Sequence, residues 1–327
     1  MMRLSAISLK HRFHLFRPGL TLLLSSVLLL GLSACSSDDD DDSGMLDDAA
    51  TLRHELAADP NGIWWDAREA TLYATDNDSN QILQFAEDGS LTPFASLGPV
   101  PEAGADVSQL FRDADGSFWT PRFGFGTAGT VLQIKPDRSV VAYSELDAER
   151  RRIGLTRTTE GEWLVSWFVR GGTGGVSRLI PDTVAGTAVE IDLIVGFYKP
   201  TGIAVVGRTL YVNDQGPGEL RSFDLDAVLG APTTVESGTV LTKFTEDEST
   251  DLMISDGDAN LYFGSRAGKL FQVALDGMVT PLMSGLKQIR GVALDSAGRR
   301  LLAVEHSPDT ETEGPHGIVI VPLGEEP

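Results

Sequence analysis

Gly202-Ile-Ala-Val-Val206, followed by Leu210-Tyr-Val-Asn-Asp214, is the phrase on which the fold turns. A short apolar run ends in a polar turn. A second run then closes on an acid. Runs this short, rich in β-branched and aromatic residues and bounded by Gly and Asp, read as antiparallel strands.

The same phrase recurs along the chain. Gly62-Ile-Trp-Trp-Asp66 precedes Leu72-Tyr-Ala-Thr-Asp76, and Gln109-Leu-Phe-Arg-Asp113 precedes Phe118-Trp-Thr-Pro-Arg122. Gly154-Leu-Thr-Arg-Thr158 precedes Leu164-Val-Ser-Trp-Phe168, and Leu252-Met-Ile-Ser-Asp256 precedes Leu261-Tyr-Phe-Gly-Ser265. Gly291-Val-Ala-Leu-Asp295 with Leu301-Leu-Ala-Val-Glu305 completes the set. The starts lie roughly 40 to 50 residues apart, the period of a propeller blade. Third strands such as Gln81–Phe85 and Thr130–Ile134, and fourth strands such as Leu91–Phe94, fill each unit. The expectation is an all-β, six-bladed β-propeller of four-stranded antiparallel blades, spanning residues 51–327. A lone blade cannot bury both faces, whereas a ring buries them against each other. The last copy lacks a fourth strand, and Thr51–Leu56 is the candidate to supply it.

Ahead of the ring the sequence changes character. Residues 1–19 carry basic side chains and no acid, and an apolar stretch runs from Leu20 to Leu32. It is short for a membrane span, which needs roughly 20 apolar residues. Leu32-Ser-Ala-Cys35 then closes a signal-peptide pattern and resembles the bacterial lipobox. The expected organisation is a lipoprotein signal peptide over 1–34, then a lipidated Cys35 on an acidic tether over 35–50. Ser36 after the Cys resembles the outer-membrane sorting pattern. The run Asp38–Asp42 repels itself and forms no core.

Cys35 is the only cysteine, so no intramolecular disulfide forms, nor does a zinc site built on cysteines. The net charge is −21, and such a surface repels nucleic acid and anionic headgroups. Membrane contact is expected only through the lipid, and the domain is taken as a monomer.

In such a ring, first strands start and second strands end on one face of the channel. The starts are Asn61, Ser108, Ile153, Thr201, Asp251 and Arg290. The ends are Asp76, Arg122, Phe168, Asp214, Ser265 and Glu305, with Phe123, Arg266 and His306 one residue on. The candidate ligand-binding set is therefore Arg122, Phe168, Asp214, Arg266, Arg290 and His306. Two outcomes are open. The arginines hold a carboxylate or phosphate of a ligand, or they pair with the aspartates across blades and stiffen the ring.

The arrangement resembles the gluconolactonase / senescence-marker-protein family over residues 51–323. Asn61-Gly-Ile-Trp-Trp-Asp66, Pro200-Thr-Gly-Ile-Ala204 and Asp251-Leu-Met-Ile-Ser-Asp256 carry the likeness. The resemblance implies one divalent cation, often calcium, held at the channel mouth by a Glu, an Asn and an Asp. Those positions hold Asn61, Thr201 and Asp251. Second-blade substrate contacts fall near Asp106 and Ser108, which do not match the family's residues. With one acid where the family has two, the main expectation is a channel face that binds a small ligand or an envelope partner. The alternative is a calcium-dependent lactone or ester hydrolase.

Three other features carry less. Gly124-Phe-Gly-Thr-Ala-Gly129 matches a dinucleotide fingerprint but opens no helix, so it reads as a flexible hairpin loop, as does Gly171–Gly175. Asp76-Asn-Asp-Ser-Asn80 reads as a polar hairpin tip. The acidic loop Ser307–His316 either lids the channel or is mobile.

Overall fold

The computed structural model describes residues 52–86, 88–99 and 105–324, without the side chains of 127 and 312. The signal segment, Cys35 and the tether lie outside the described residues. Among the described residues no helix is long and apolar enough to cross a membrane.

The chain forms six antiparallel blades in a closed ring. Blade 1 comprises Pro60–Asp66, Thr71–Asp76, Gln81–Phe85 and Leu91–Ser96, and blade 4 comprises Pro200–Val206, Thr209–Asp214, Glu219–Asp224 and Thr239–Lys243. Blade 5 comprises Thr250–Ser255, Asn260–Ser265, Leu270–Ala274 and Val279–Met283. Blade 6 takes Gln288–Asp295, Arg300–His306 and His316–Pro322 from the end of the chain and Leu52–Leu56 from its beginning. Leu52 pairs with Ile320 and Leu56 with His316, so the first described strand shuts the ring as expected.

Asp-Gly pairs make several of the outer turns. In Asp88-Gly89, Asp115-Gly116 and Asp276-Gly277 each glycine has φ between 86° and 95°, a region that penalises a Cβ. Each aspartate accepts the amide two residues on, at 2.8–3.0 Å.

The core is distributed rather than central. Six apolar clusters each sit between two neighbouring blades. Leu164, Ile194 and Phe197 of blade 3, which comprises Arg151–Arg157, Trp163–Val169, Thr173–Asp182 and Thr187–Phe197, for example, pack on Ile203, Leu210 and Val212 of blade 4. Blade 6 meets blade 1 through Val304, Ile318, Ile63 and Phe85.

Two features of the first strands position the channel. Five of the six carry a register shift near their start, at Pro60/Ile63, Arg152/Leu155, Pro200/Ile203, Thr250/Met253 and Ile289/Val292. A bulge re-aims the residues it contains, here Asn61, Ile153, Thr201, Asp251 and Arg290, toward the axis. The second is a repeated glycine. A Cβ on Gly62 would stand 2.1 Å from the Ser108 carbonyl oxygen of the next blade, and one on Gly154 2.1 Å from that of Thr201. Gly291 meets the Asn61 carbonyl in the same way, at 2.2 Å. The recurrent glycine of the sequence phrase is therefore a close-approach residue.

Some expectations need correction. The first strand of blade 2 is not continuous over 109–113. It breaks into Asp106–Val107 and Phe111–Arg112, both on Phe118–Phe123. The break frees Gln109 to enter the channel. Its amide donates to the Met253 carbonyl at 3.2 Å and accepts from the Leu155 amide at 2.9 Å, tying blades 2, 3 and 5. In Gly171–Gly175, Gly171 and Gly172 make the hairpin turn, as expected, but the glycines beyond them do not belong to a loop. Gly174 and Gly175 lie in the strand Thr173–Asp182, where a Cβ on Gly175 would strike the Trp167 ring at 2.6 Å. Gly124–Gly129 folds into a 3-10 turn over Gly126–Ala128. Two short helices, Leu225–Gly230 and Thr310–Glu313, break the all-strand pattern that the repeat implies.

Candidate functional site

The six first strands converge on a cleft of about 200 Å³ at one mouth of the channel. All six expected starts, Asn61, Ser108, Ile153, Thr201, Asp251 and Arg290, line it. Phe123 at the end of a second strand, Gln215 and Arg266 just after one, and Lys199 and Gln288 complete the wall.

Charge in this cleft runs against the molecule. Among the described residues, Lys199, Arg266 and Arg290 face it together with a single carboxylate, Asp251. Burial pushes the Asp251 carboxyl above its ordinary range, although Lys199, Arg290 and Arg266 pull it down. Burial also lowers the Lys199 amine, Arg266 and Arg151 add to that, and Asp251 opposes it. The Lys199 ammonium donates to the Gln215 side-chain oxygen. Asp106 lies nearby, its carboxyl raised by burial and by Asp59 and lowered by Arg151 and Arg290.

Beside the cleft stands a second polar cluster. Asp59 Oδ1 lies 3.5 Å from Arg290 Nη1, 3.2 Å from His306 Nδ1 and 3.7 Å from His316 Nε2. The two imidazoles stack at 4.7 Å. Burial alone would raise the Asp59 carboxyl, but the His306 hydrogen bond, Arg290 and His316 together hold it low. The loop Ser307–His316 packs here beside the mouth, pinned where Lys287 Nζ meets Ser307 Oγ at 2.9 Å and the Pro315 carbonyl at 2.6 Å.

Neither group of residues suits a dication. Thr201 Oγ1 donates to the Asp251 carbonyl at 3.3 Å and accepts from Asn213 Nδ2 at 3.0 Å, so its proton and one lone pair are committed. Asn61 Nδ2 donates to the Val107 carbonyl at 2.9 Å. Asp251 is then the one charged oxygen ligand of the expected trio, among three cations, whereas hard dications take several oxygen donors. Asp59, His306 and His316 bring ligand atoms within 4.8 Å of one another. Their protons point the wrong way, however. Arg290 Nη2, which only donates, sits 2.7 Å from His306 Nε2, and the Ser307 amide donates to His316 Nδ1 at 3.1 Å. Each neutral ring therefore carries its hydrogen on the nitrogen facing Asp59. Metal-ligating histidines show the reverse, donating from the far nitrogen to an acceptor.

The other expected residues divide. Arg266 and Arg290 are at the mouth. His306 joins the Asp59 cluster. Phe168 flanks the wall, its ring centroid 5.7 Å from Lys199 Nζ. Arg122 and Asp214 do not line the cleft. Arg122 is 2 % exposed, and its Nη2 donates to the Leu97 carbonyl at 3.0 Å and to Asn80 at 3.2 Å. Asp214 accepts the amides of Tyr198 and Lys199 at 2.9 and 2.7 Å. Asp76 accepts the Asp59 amide at 2.9 Å, and Glu305 the Lys287 amide at 2.7 Å. The acid that ends the second strand is thus a turn residue that ties the loop entering its own blade.

Lys199, Gln215, Gln288, Asp59 and His316 fall outside the expected set. A signal for Gln215 is present in the sequence, since it follows Asp214 as Arg266 follows Ser265.

No family model matches the chain, and no curated protein matches it in sequence. Solved structures do match it. A gluconolactonase from Xanthomonas campestris shares 18% identity over 83% of this chain and 88% of its own, with a TM-score of 0.64. The calcium-binding protein regucalcin from Agrobacterium tumefaciens shares 17% over 84% and 94%, with a TM-score of 0.61. The PQQ-bound aldose sugar dehydrogenase from Streptomyces coelicolor shares 12% over 83% and 98%, with a TM-score of 0.60. One ring thus hosts different chemistries. The chain has the six-bladed propeller fold found in gluconolactonase and regucalcin structures.

Proposed function

We propose that the channel mouth binds a small molecule and hydrolyses a lactone or related ester. The observation that carries this reading is the Asp251 carboxylate, raised by burial and standing in a cleft with Lys199, Arg266 and Arg290. A carboxyl so raised is suited to general-base work. Asp251 takes a proton from water as the water oxygen attacks the ester carbonyl carbon. The negative charge that develops on the carbonyl oxygen meets the cations of the wall. The carbon–oxygen ester bond then breaks, and the leaving alkoxide takes the proton back from Asp251. The gluconolactonase neighbour favours hydrolysis over binding alone. The regucalcin neighbour points to a divalent cation, but the donor set at the mouth fits one poorly, and no step here needs it.

The test is a panel of γ- and δ-lactones and aryl esters with the purified propeller. Hydrolysis that falls at least about a hundredfold in Asp251→Asn, with circular dichroism unchanged, supports the reading. A panel left intact by the wild type refutes it. The second reading is a binding module for a small ligand or an envelope partner, favoured by the commitment of Thr201 and Asn61 to neighbouring groups.

We also infer that the propeller is exported and lipid-anchored through Cys35 in the cell envelope, at the outer membrane. Leu32-Ser-Ala-Cys35 and Ser36 support this. Cys35→Ser is expected to move the protein from the membrane fraction to the soluble one.

A further inference from the structure

We infer that the mouth grips its substrate by an anionic group, a carboxylate or a phosphate, held by Lys199, Arg266 and Arg290 where a dication would otherwise stand. This deepens the hydrolytic reading and rests on the same cleft.

The charge balance is the first support. The chain has 26 basic and 47 acidic residues, yet three of the four charged residues that line the cleft among the described residues are basic. Chance placement in so acidic a protein favours the opposite. The second support is that the cations are only partly answered. Arg290 is shared with Asp59, and Lys199 meets a neutral amide oxygen. Arg266 has an exposed side chain and makes no ion pair among the described residues. Elsewhere arginines close on carboxylates directly, as Arg152 does on Glu190 with two bonds of 2.6 and 2.7 Å. Like charges gathered with one carboxylate between them repel, and a bound anion relieves that repulsion. Guanidinium groups match carboxylate and phosphate oxygens in pairs, and the Lys199 ammonium adds a point charge. The third support is the failed metal fit. Asn61 and Thr201 bring no charge, so the positive charge at this mouth belongs to the protein itself.

The experiment is calorimetric titration of the purified propeller with inorganic phosphate, with D-gluconate and with calcium alone, at low salt, with thermal unfolding in parallel. Saturable binding of phosphate or gluconate, with a rise in melting temperature, is expected. Phosphate without gluconate would assign a phosphate ester, and gluconate without phosphate a sugar acid. Arg266→Gln and Lys199→Gln should each weaken that binding at least about tenfold, while Arg208→Gln on the far face leaves it unchanged. Both mouth variants should also raise the melting temperature of the free protein, since each removes a repelling charge. No saturable binding of either anion overturns the inference, as does binding unchanged in both mouth variants. Calcium that stabilises where the anions do not overturns it too. Anion binding without turnover of any lactone or ester would sink the hydrolytic reading alone. Turnover without anion binding or competition would sink this inference alone.

Discussion

Two polar clusters lie side by side on one face of the ring, and they are built on opposite rules. Around Asp59 one carboxylate meets Arg290, His306 and His316, and the far nitrogen of each histidine accepts a donor. In the cleft, among the described residues, Lys199, Arg266 and Arg290 face Asp251 alone. The first cluster closes on itself, and the second closes only with something added. Arg290 belongs to both. The contrast separates a polar network that stiffens a fold from one that waits for a ligand.

The largest way to test that contrast is Asp251→Asn. Activity should fall at least about a hundredfold while the fold persists, with the loss in kcat rather than KM. The same kind of change at Asp59 should act on stability. Asp59→Ala leaves Arg290 and two imidazoles without their shared acceptor and should cost about 2–3 kcal/mol in urea unfolding. An equal loss of activity and stability at both sites would erase the distinction.

The Gln109 bridge between blades gives a smaller effect. Gln109→Ala removes bonds to the Met253 carbonyl and Leu155 amide in the buried channel. It should cost about 1–2 kcal/mol and leave hydrolysis within a few-fold of wild type.

The pH dependences should oppose each other. The Asp59 carboxyl is held low in the folded protein. The unfolded chain then binds its proton more readily, so Asp59 stabilises above the ordinary carboxylate range and this is lost as pH falls through its lowered pKa. The Asp251 carboxyl is held high. There the folded chain keeps the proton, and stability falls as pH rises from the ordinary range through the raised pKa. Urea midpoints between pH 3 and 8 for Asp59→Asn and Asp251→Asn should therefore change the acid limb in opposite directions.

Much of the ring is legible in the amino-acid sequence. A 40-to-50-residue repeat of short strands has few other solutions, and the bulged starts from Asn61 to Arg290 are readable because the period places them in register. The strand ends are not. Asp214 and Arg122 occupy equivalent places, yet the first ties a turn and the second holds the Leu97 carbonyl of the neighbouring blade. Period fixes where a residue sits, whereas the loop beyond it decides where the side chain turns. Asp59 and His316 meet from opposite ends of the chain through the closure of blade 6, and no local pattern marks such a pair.

The closing strand also sets an order of events. Among the described strands, Leu52–Leu56 is made before the others and finds its partner, His316–Pro322, only after the strands of the other five blades. Pairing at such sequence separation is slow, because the entropy of closing the loop must be met before any rung forms. Until then blade 6 lacks its outer strand and the Asp59 cluster lacks His316. A chain interrupted anywhere before His316–Pro322 therefore has neither a sealed ring nor a complete Asp59 cluster, so synthesis through that strand is itself a condition for the ring to close.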